Sequence, residues 1–350
     1  MSKSFFGNII NKIFFFILKI FPHASYKYLI LFFQKIILFL KKVSLDSTII
    51  FNYEIEDIKF KIFVRKQNSQ AHYTYTQLLS KGRVYELAVT VCLNSVLKKE
   101  INPIFADIGA FVGHYSCYVS KFLKYEKPIY ALESNKEFCN DIKKSADLSN
   151  IKNIEVINAV LSDKEENLYV YDVGVVNPDN INKEKKDEKE YLEKVSKFGK
   201  ETQTITMDKL FENKEFMPNI LKMDVHGAEG KILNGAKSLL STNIKYILME
   251  MHREDDLKKF SPGFTKSKII ENLIDHNFNC YLISPHSDGF RNLFAPSNEV
   301  QKLYLRNINK LNYLKLEKNI AESVLYDRNF SDNFILALKK DIDINSLSCF

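Results

Sequence analysis

Three groups of residues have types and spacings that could do chemistry. The first is Asp107-Ile108-Gly109-Ala110-Phe111-Val112-Gly113, followed at the end of the next apolar run by Glu133. Glycines between a strand and a helix let the backbone turn tightly and let a ligand approach the peptide groups. The helix that follows offers free N–H groups at its start. An acid 24 residues after Gly109, closing the second strand, can accept hydrogen bonds from both ribose hydroxyls of an adenosine. The other two groups are Asp224-Val225-His226 and Glu250-Met251-His252, each ending an apolar run. In an open α/β sheet, ligands bind beyond the carboxyl ends of the strands. Strand alternation would then aim Asp224, His226, Glu250 and His252 at one cleft.

Two adenosine ligands share this plan. A dinucleotide site carries GxGxxG with its pyrophosphate on the helix N-terminus. Here Gly109 and Gly113 stand four apart, so the close glycine pair is missing, and Asp107 would repel a pyrophosphate. The same acid suits a ligand bearing an ammonium and a sulfonium. S-adenosylmethionine is therefore expected over a nicotinamide dinucleotide, with a nicotinamide-dependent oxidoreductase as the alternative. For the acid and histidine cluster three readings stand. Asp224 or a histidine takes the proton of an acceptor hydroxyl. Asp224, His226, Glu250 and His252 bind a divalent metal that acidifies it. Or Asp224 orients the glycine turn and the others make ordinary surface hydrogen bonds. In-line methyl transfer can draw much of its rate from positioning alone.

The elements that must place these residues follow from periodicity. Residues 48–54 and 58–64 read as a hairpin, and 83–98 as a helix with Val84, Leu87, Val91 and Val96 near one face. Strands are expected at 104–108, 129–133, 154–161, 219–225 and 245–251, and 167–172 would extend the same sheet. Helices are expected at 113–124, 135–148 (N-capped by Ser134) and 229–240, where Glu229 favours the helix dipole. Strands alternating with helices give a mostly parallel sheet with helices on both faces. Residues 178–203, dense in mixed charge, form a surface insertion, read as a solvated helix, a mobile lid or a mobile loop with no role, and a final strand falls at 333–338.

The motifs also resemble a family, the FkbM-type methyltransferases. DIGAFVGHYS (107–116) resembles its glycine motif, with Phe111 where the family usually has Asn. YALESN (130–135), NAVLSDKEE (158–166), TITMDKL (204–210) and LKMDVHGAEGKILNGA (221–236) resemble its later blocks, with His226 in place of a usual Glu. The resemblance implies a Rossmann-like class I fold, a seven-stranded sheet with the last strand antiparallel. It implies methyl transfer, commonly to an oxygen of a glycan or small metabolite. It places Asp107, Gly109, Ala110, Gly113, Glu133, Ser134, Asn158, Ala159 and Asp224 around S-adenosylmethionine. Tyr85 and Glu86 resemble a Tyr-Glu pair preceding the family's core, expected either to close over the cofactor or to take a helix-facing structural role, while His114 and Tyr115 read as packing residues. The departures at Phe111 and His226 keep a catalytically inactive cofactor-binding or membrane-binding module as a further alternative.

Charge and composition bound the partners. The net charge is +7, and residues 1–45 carry seven lysines and no acid, which accounts for all of it. The rest is formally neutral, so no nucleic-acid partner is expected. Within 1–45 the apolar runs IFFFIL, YLILFF and IILFL are interrupted by lysines, and Pro22 separates two amphipathic helices. No run reaches the length of a membrane-spanning helix. An anionic membrane surface is the expected partner of this basic arm, with helix packing on the core, a dimer contact or a tilted membrane anchor as the alternatives. The chain then divides into the arm at 1–45, lead-in strands and a helix at 46–100, and a methyltransferase domain at 101–350. Five cysteines, an odd number without a CxxC pair, point to buried free thiols in a reducing compartment. The expected location is the cytoplasm, peripheral to the inner face of a membrane.

Overall fold

Runs of β-branched and aromatic residues become strands wherever helices can cover both of their faces. The computed structural model describes residues 49–55, 57–65, 85–124, 126–171, 174–176, 186–285, 311, 313–318 and 333–350. The expected basic amphipathic arm at 1–45 lies outside these residues, as do Val84 and all of 286–310. Among the described residues, no helix is long and apolar enough to cross a membrane.

The chain opens with the hairpin β1 (Ile49–Ile55) and β2 (Ile58–Val64), then helix α1 (Leu87–Lys99). There follow β3 (Phe105–Ile108), α2 (His114–Leu123), β4 (Ile129–Glu133), α3 (Lys136–Leu148) and β5 (Ile154–Asn158). An inserted unit comprises β6 (Val160–Leu161), β7 (Asn167–Tyr171), β8 (Gly174–Val176), α4 (Lys186–Phe198) and β9 (Lys200–Ile205). The chain returns through α5 (Met207–Phe211), β10 (Ile220–Met223), α6 (Glu229–Asn234), α7 (Lys237–Thr242) and β11 (Tyr246–Met251). It ends with α8 (Glu254–Phe260), α9 (Lys266–Asp275), β12 (Phe278–Pro285), β13 (Leu314–Leu316) and β14 (Asn333–Lys339).

The main sheet runs β13-β12-β14-β11-β10-β3-β4-β5. The five strands from β11 to β5 are mutually parallel, and β14 is antiparallel to both of its neighbours. Seven strands thus form the expected sheet, and the short β13 adds an eighth along its edge. The two faces carry separate cores. Phe105, Leu248, Leu336 and Leu338 pack under α1, α2 and the β1–β2 hairpin, whereas Ile108, Leu221, Met249 and Ile335 pack under α6, α7 and α9. The hairpin is tied to α3, because Ser145 and Ser149 hydroxyls accept the Phe63 and Lys61 N–H groups. The buried face of α1 is Val89, Cys92, Leu93, Val96 and Leu97, an i, i+3, i+4, i+7, i+8 stripe. Val91 stands at its margin.

Four expectations are corrected. The third strand does not run through 154–161 but breaks at Ala159, and its second part joins a separate four-stranded sheet, β6-β9-β7-β8. Strand β7 belongs to that sheet too and does not extend the main one. The helix at 229–240 is two helices, parted at Gly235, whose carbonyl accepts the Asp208 N–H at 3.1 Å and whose Cα lies so close to the Ser162 carbonyl that an added Cβ would sit 2.2 Å away. The cap of α3 is Asn135, whose side chain accepts the Glu137 N–H, and not Ser134. The charged insertion does carry a helix, α4, anchored by Val195 against Tyr169, Tyr191 and Phe260. All five cysteines are buried and free.

The central strands β3 and β10 run side by side, and the turns leaving them collide. Gly109 has φ +79° and a Cβ added there would lie 1.9 Å from the Asp224 carbonyl oxygen. The glycine is thus required by a neighbouring loop of the protein as well as by its own turn. Gly109→Ala is expected to cost about 2–5 kcal/mol through left-handed strain and backbone displacement. Urea unfolding of the variant checks this; an unchanged midpoint would contradict it.

Candidate active site

One cavity opens at the carboxyl ends of β3, β4 and β10. Its lining includes Asp107, Gly109, Ala110, Phe111, Glu133, Ser134 and Ala159 on one side, and Lys222, Asp224, Val225 and His226 on the other. Tyr85, His114 and Tyr115 border it as well. The expected cofactor residues are therefore gathered, with two exceptions. Gly113 is the N-cap of α2, with φ +80°, and does not line the cavity. Asn158 also stays outside; its side-chain N–H groups donate to the carbonyls of Glu133 and Ser134 at 2.9 and 2.8 Å and fix that loop.

Asp107 and Glu133 hold the loops together. Because Gly113 has no side chain, α2 lacks a cap of its own, and Asp107 supplies one from the preceding strand. Its Oδ2 accepts the Ser116 N–H at 3.0 Å and the Ser116 hydroxyl at 2.7 Å. Burial raises the pKa of Asp107, against the pull of Lys222 and Ser116. Part of the acid expected to face a ligand's ammonium is thus committed to the helix start. Glu133 Oε2 accepts the Phe111 N–H and Oε1 the Asn135 N–H, both at 2.9 Å. One carboxylate thereby clamps the loops after β3 and β4. Burial pushes its pKa up to about 7, the hydrogen bonds opposing. A carboxylate offers about four lone-pair positions, so acceptor capacity remains for a ligand hydroxyl. Phe111, at φ +52°, meets the edge of Phe138 at 4.9 Å between ring centroids. The site where the family usually has Asn thus keeps its backbone role while the side chain becomes apolar wall.

The chain reverses after β10 through His226 (φ +51°) and Gly227 (φ +100°), which swings His226 toward His252. His226 Nδ1 and His252 Nε2 are 3.1 Å apart, and His252 Nδ1 lies 2.6 Å from Glu229 Oε1. Glu229 is fully buried, so the acid read as a helix-dipole residue is the brace of His252. Burial lowers the pKa of His252, but the Glu229 hydrogen bond and the charges of Glu229, Asp224 and Glu250 outweigh it and carry the pKa up to about 10. As an imidazolium, His252 donates through Nδ1 to Glu229 and through Nε2 to His226. His252 and Glu250 do not line the cavity. The expected four-residue cleft is therefore corrected: Asp224 and His226 face it, and the other two stand behind.

Lys222 carried no expectation. It occupies a fully buried strand, is 5% exposed, and its ammonium lies 3.3 Å from Asp224 Oδ2. Burial lowers its pKa, yet Asp224, Glu86, Asp107 and Glu250 outweigh this and hold it charged. Conversely, burial raises the pKa of Asp224, but Lys222, His226 and His252 keep it well below the usual carboxylate range. The signal was in the sequence: a lysine in an apolar strand, two residues before an acid, points to the same face as that acid. Tyr85 lines the cavity, whereas Glu86 does not and instead accepts the Tyr115 hydroxyl at 2.8 Å. His114 sits among Tyr53, Phe60, Tyr85 and Tyr115, and burial lowers its pKa to about 3.

With this geometry established, the comparisons can be set beside it. The sequence profile of the methyltransferase FkbM domain matches residues 107–280, from the acid before the glycine loop to β12. Residues 107–280 are a methyltransferase FkbM domain. The sheet is the Rossmann-like class I methyltransferase fold. Among solved structures, a methyltransferase FkbM from Methylobacillus flagellatus KT matches at 15% identity and a TM-score of 0.31, over 49% of this chain and 37% of that one. This chain therefore spans little more than a third of that relative. The plantazolicin methyltransferase BpumL in complex with SAH matches at 12% identity and a TM-score of 0.37, over 78% and 91% of the two chains. A precorrin-6y C5,15-methyltransferase from Geobacter metallireducens GS-15 matches at 12% identity and 0.34, over 71% and 87%. No curated protein matches the sequence.

The His252 brace has a pH signature. Its folded-state pKa, about 10, lies above its ordinary 6.5. The stability it contributes is present below about pH 6.5 and is lost as pH rises toward 10. In the presence of a chelator, the wild-type unfolding free energy should fall across this window, and His252→Gln should remove most of that slope. Urea titrations at several pH values check it; equal slopes would contradict it.

Proposed function

We propose that the protein transfers the methyl group of S-adenosylmethionine to a hydroxyl oxygen of a glycan or small metabolite placed between Asp224 and His226. The observation that carries this reading is the single cavity that joins Glu133, Ser134 and Ala159 to Asp224 and His226. The family's transfer chemistry favours it over hydride transfer from a nicotinamide.

The residues present fit the cofactor. Glu133 keeps acceptor capacity for ribose hydroxyls, Phe138 and Ala159 offer apolar surface, and the Gly109–Ala110 turn with Asp224 meets the methionine end. Among the described residues, the buried Asp224 Oδ1 has no hydrogen-bond partner. When bound, S-adenosylmethionine supplies an electrophilic methyl whose bond electrons leave with sulfur as a neutral thioether.

The chain's own task is to present the acceptor. Asp224 Oδ1 accepts the acceptor's hydroxyl hydrogen and turns an oxygen lone pair toward the methyl. As the O–C bond forms, the oxygen gains positive charge and its proton becomes strongly acidic. A carboxylate held ionised by Lys222 can then take that proton despite being a weak base. His226, with Nδ1 engaged by His252, keeps Nε2–H as a donor to a neighbouring acceptor oxygen. Tyr85 and Tyr115 screen the site from water.

Calorimetric titration with S-adenosylmethionine and S-adenosylhomocysteine tests the reading. Both should bind, and Glu133→Ala should weaken each by about 10-fold or more, the loss of a charged hydrogen-bond pair. Once an acceptor is found, Asp224→Asn should lower kcat by about 10²–10⁴-fold. Silence toward both adenosyl ligands would overturn the proposal.

A further inference from the structure

We propose that Asp224, His226 and His252 form a site for one divalent first-row transition-metal ion, with Glu229 orienting His252 from behind. What the ion would do rests on the methyl-transfer reading; the site itself does not.

The ligand atoms already have the spacing. His226 Nδ1 and His252 Nε2 are 3.1 Å apart, Asp224 Oδ1 and His252 Nε2 are 3.7 Å apart, and all three ligand atoms lie within 4.8 Å of one another. Two ligands held at roughly 2.1 Å from one ion lie roughly 3.0–3.4 Å apart for right-angle to tetrahedral geometry, and roughly 3.6 Å apart near 120°. Two further observations point the same way. Among the described residues, Asp224 Oδ1 is buried without a hydrogen-bond partner, while Oδ2 is occupied by Lys222, which leaves one oxygen to bind an ion. His252 Nδ1 is held at 2.6 Å by the buried Glu229 carboxylate. That is the arrangement by which a second carboxylate fixes the tautomer and aim of a metal-binding histidine.

The donor set chooses the ion. Two imidazoles and a carboxylate suit Zn²⁺ or Co²⁺, whereas Mg²⁺ is taken by oxygens. Glu86, Asp224 and Glu250 also bring ligand atoms within 4.8 Å of one another. The charged Lys222 interacts with all three of those acids and already supplies their cation. The expected four-residue set thus separates, with Glu250 on the lysine side and the histidines on the metal side. The ion would replace the proton that His252 Nε2 otherwise carries. Asp224 and His226 border the cavity, so an open coordination position would face the acceptor. Its hydroxyl would bind the ion in place of hydrogen-bonding Asp224, and the ion would lower its pKa as a Lewis acid.

The test is a Co²⁺ titration of the chelator-stripped full chain, followed by visible absorption and calorimetry. One Co²⁺ per chain is expected, with d–d bands that vanish on adding Zn²⁺ and persist in excess Mg²⁺. His226→Ala should weaken binding by at least about 100-fold, and Glu229→Gln by about 10–100-fold. His226 is partly exposed, so His226→Ala serves should Glu229→Gln fail to fold. No d–d bands, equal affinity in His226→Ala, or displacement by Mg²⁺ would overturn the site. Titrating S-adenosylmethionine into the same samples separates the two proposals. Co²⁺ bound without the cofactor overturns methyl transfer and leaves the metal site standing, and the converse overturns the metal site alone.

Discussion

The ammonium of Lys222 is buried on a central strand of the sheet, where carboxylates arrive from four other places in the chain. Asp107 comes from β3, Asp224 from the turn after β10, Glu86 from the start of α1, and Glu250 from β11. An isolated ion in such a place would be expelled or neutralised, and breaking a buried pair is costly because it strands the remaining charge. The lysine therefore decides which strand ends can lie side by side, and with them the shape of the cavity. Its reach over the Tyr115 ring, 5.1 Å to the centroid, extends the constraint to the helix that begins at the glycine loop.

Around this cation each polar group does two jobs. Asp107 caps α2 because Gly113 cannot, and Gly113 is glycine because the loop turns there with positive φ. Glu133 ties two βα loops together and still keeps acceptor capacity for a ligand. Glu229 closes a helix start on one oxygen's side, through the Gly227 N–H at 3.1 Å, and fixes the ring of His252 with the same atom. Such sharing explains why the site can be both buried and largely satisfied in its hydrogen bonds.

The strand ends were legible in the sequence because each follows an apolar run bounded by glycine or by an acid. Asp107, Gly109, Glu133 and Asp224 all meet at one cavity for that reason. The break at Ala159 was not legible, since IEVINAVL reads as one apolar stretch and only the pairing of Val160 with Thr204 in another sheet divides it. Gly235, between the two helices, is pressed against the Ser162 carbonyl, a contact 73 positions away that no local pattern carries. Glu229 was passed over because a helix dipole explains it locally, and Lys222 carried no reading although its spacing from Asp224 offered one. Their burial is a property of the sheet as a whole. His226 and His252 were expected to share a cleft, but the two left-handed residues after β10 turn only His226 toward it.

The most direct test of this account removes the central charge. Equilibrium unfolding of Lys222→Met and wild type should be compared at pH 5 and pH 8. Without the ammonium, Asp107 and Asp224 would be harder to ionise in the folded state than in the unfolded chain, so the variant's stability should drop as pH rises. The account predicts a deficit of about 3–5 kcal/mol at pH 8 that shrinks at pH 5. A variant as stable as wild type at both pH values would contradict it.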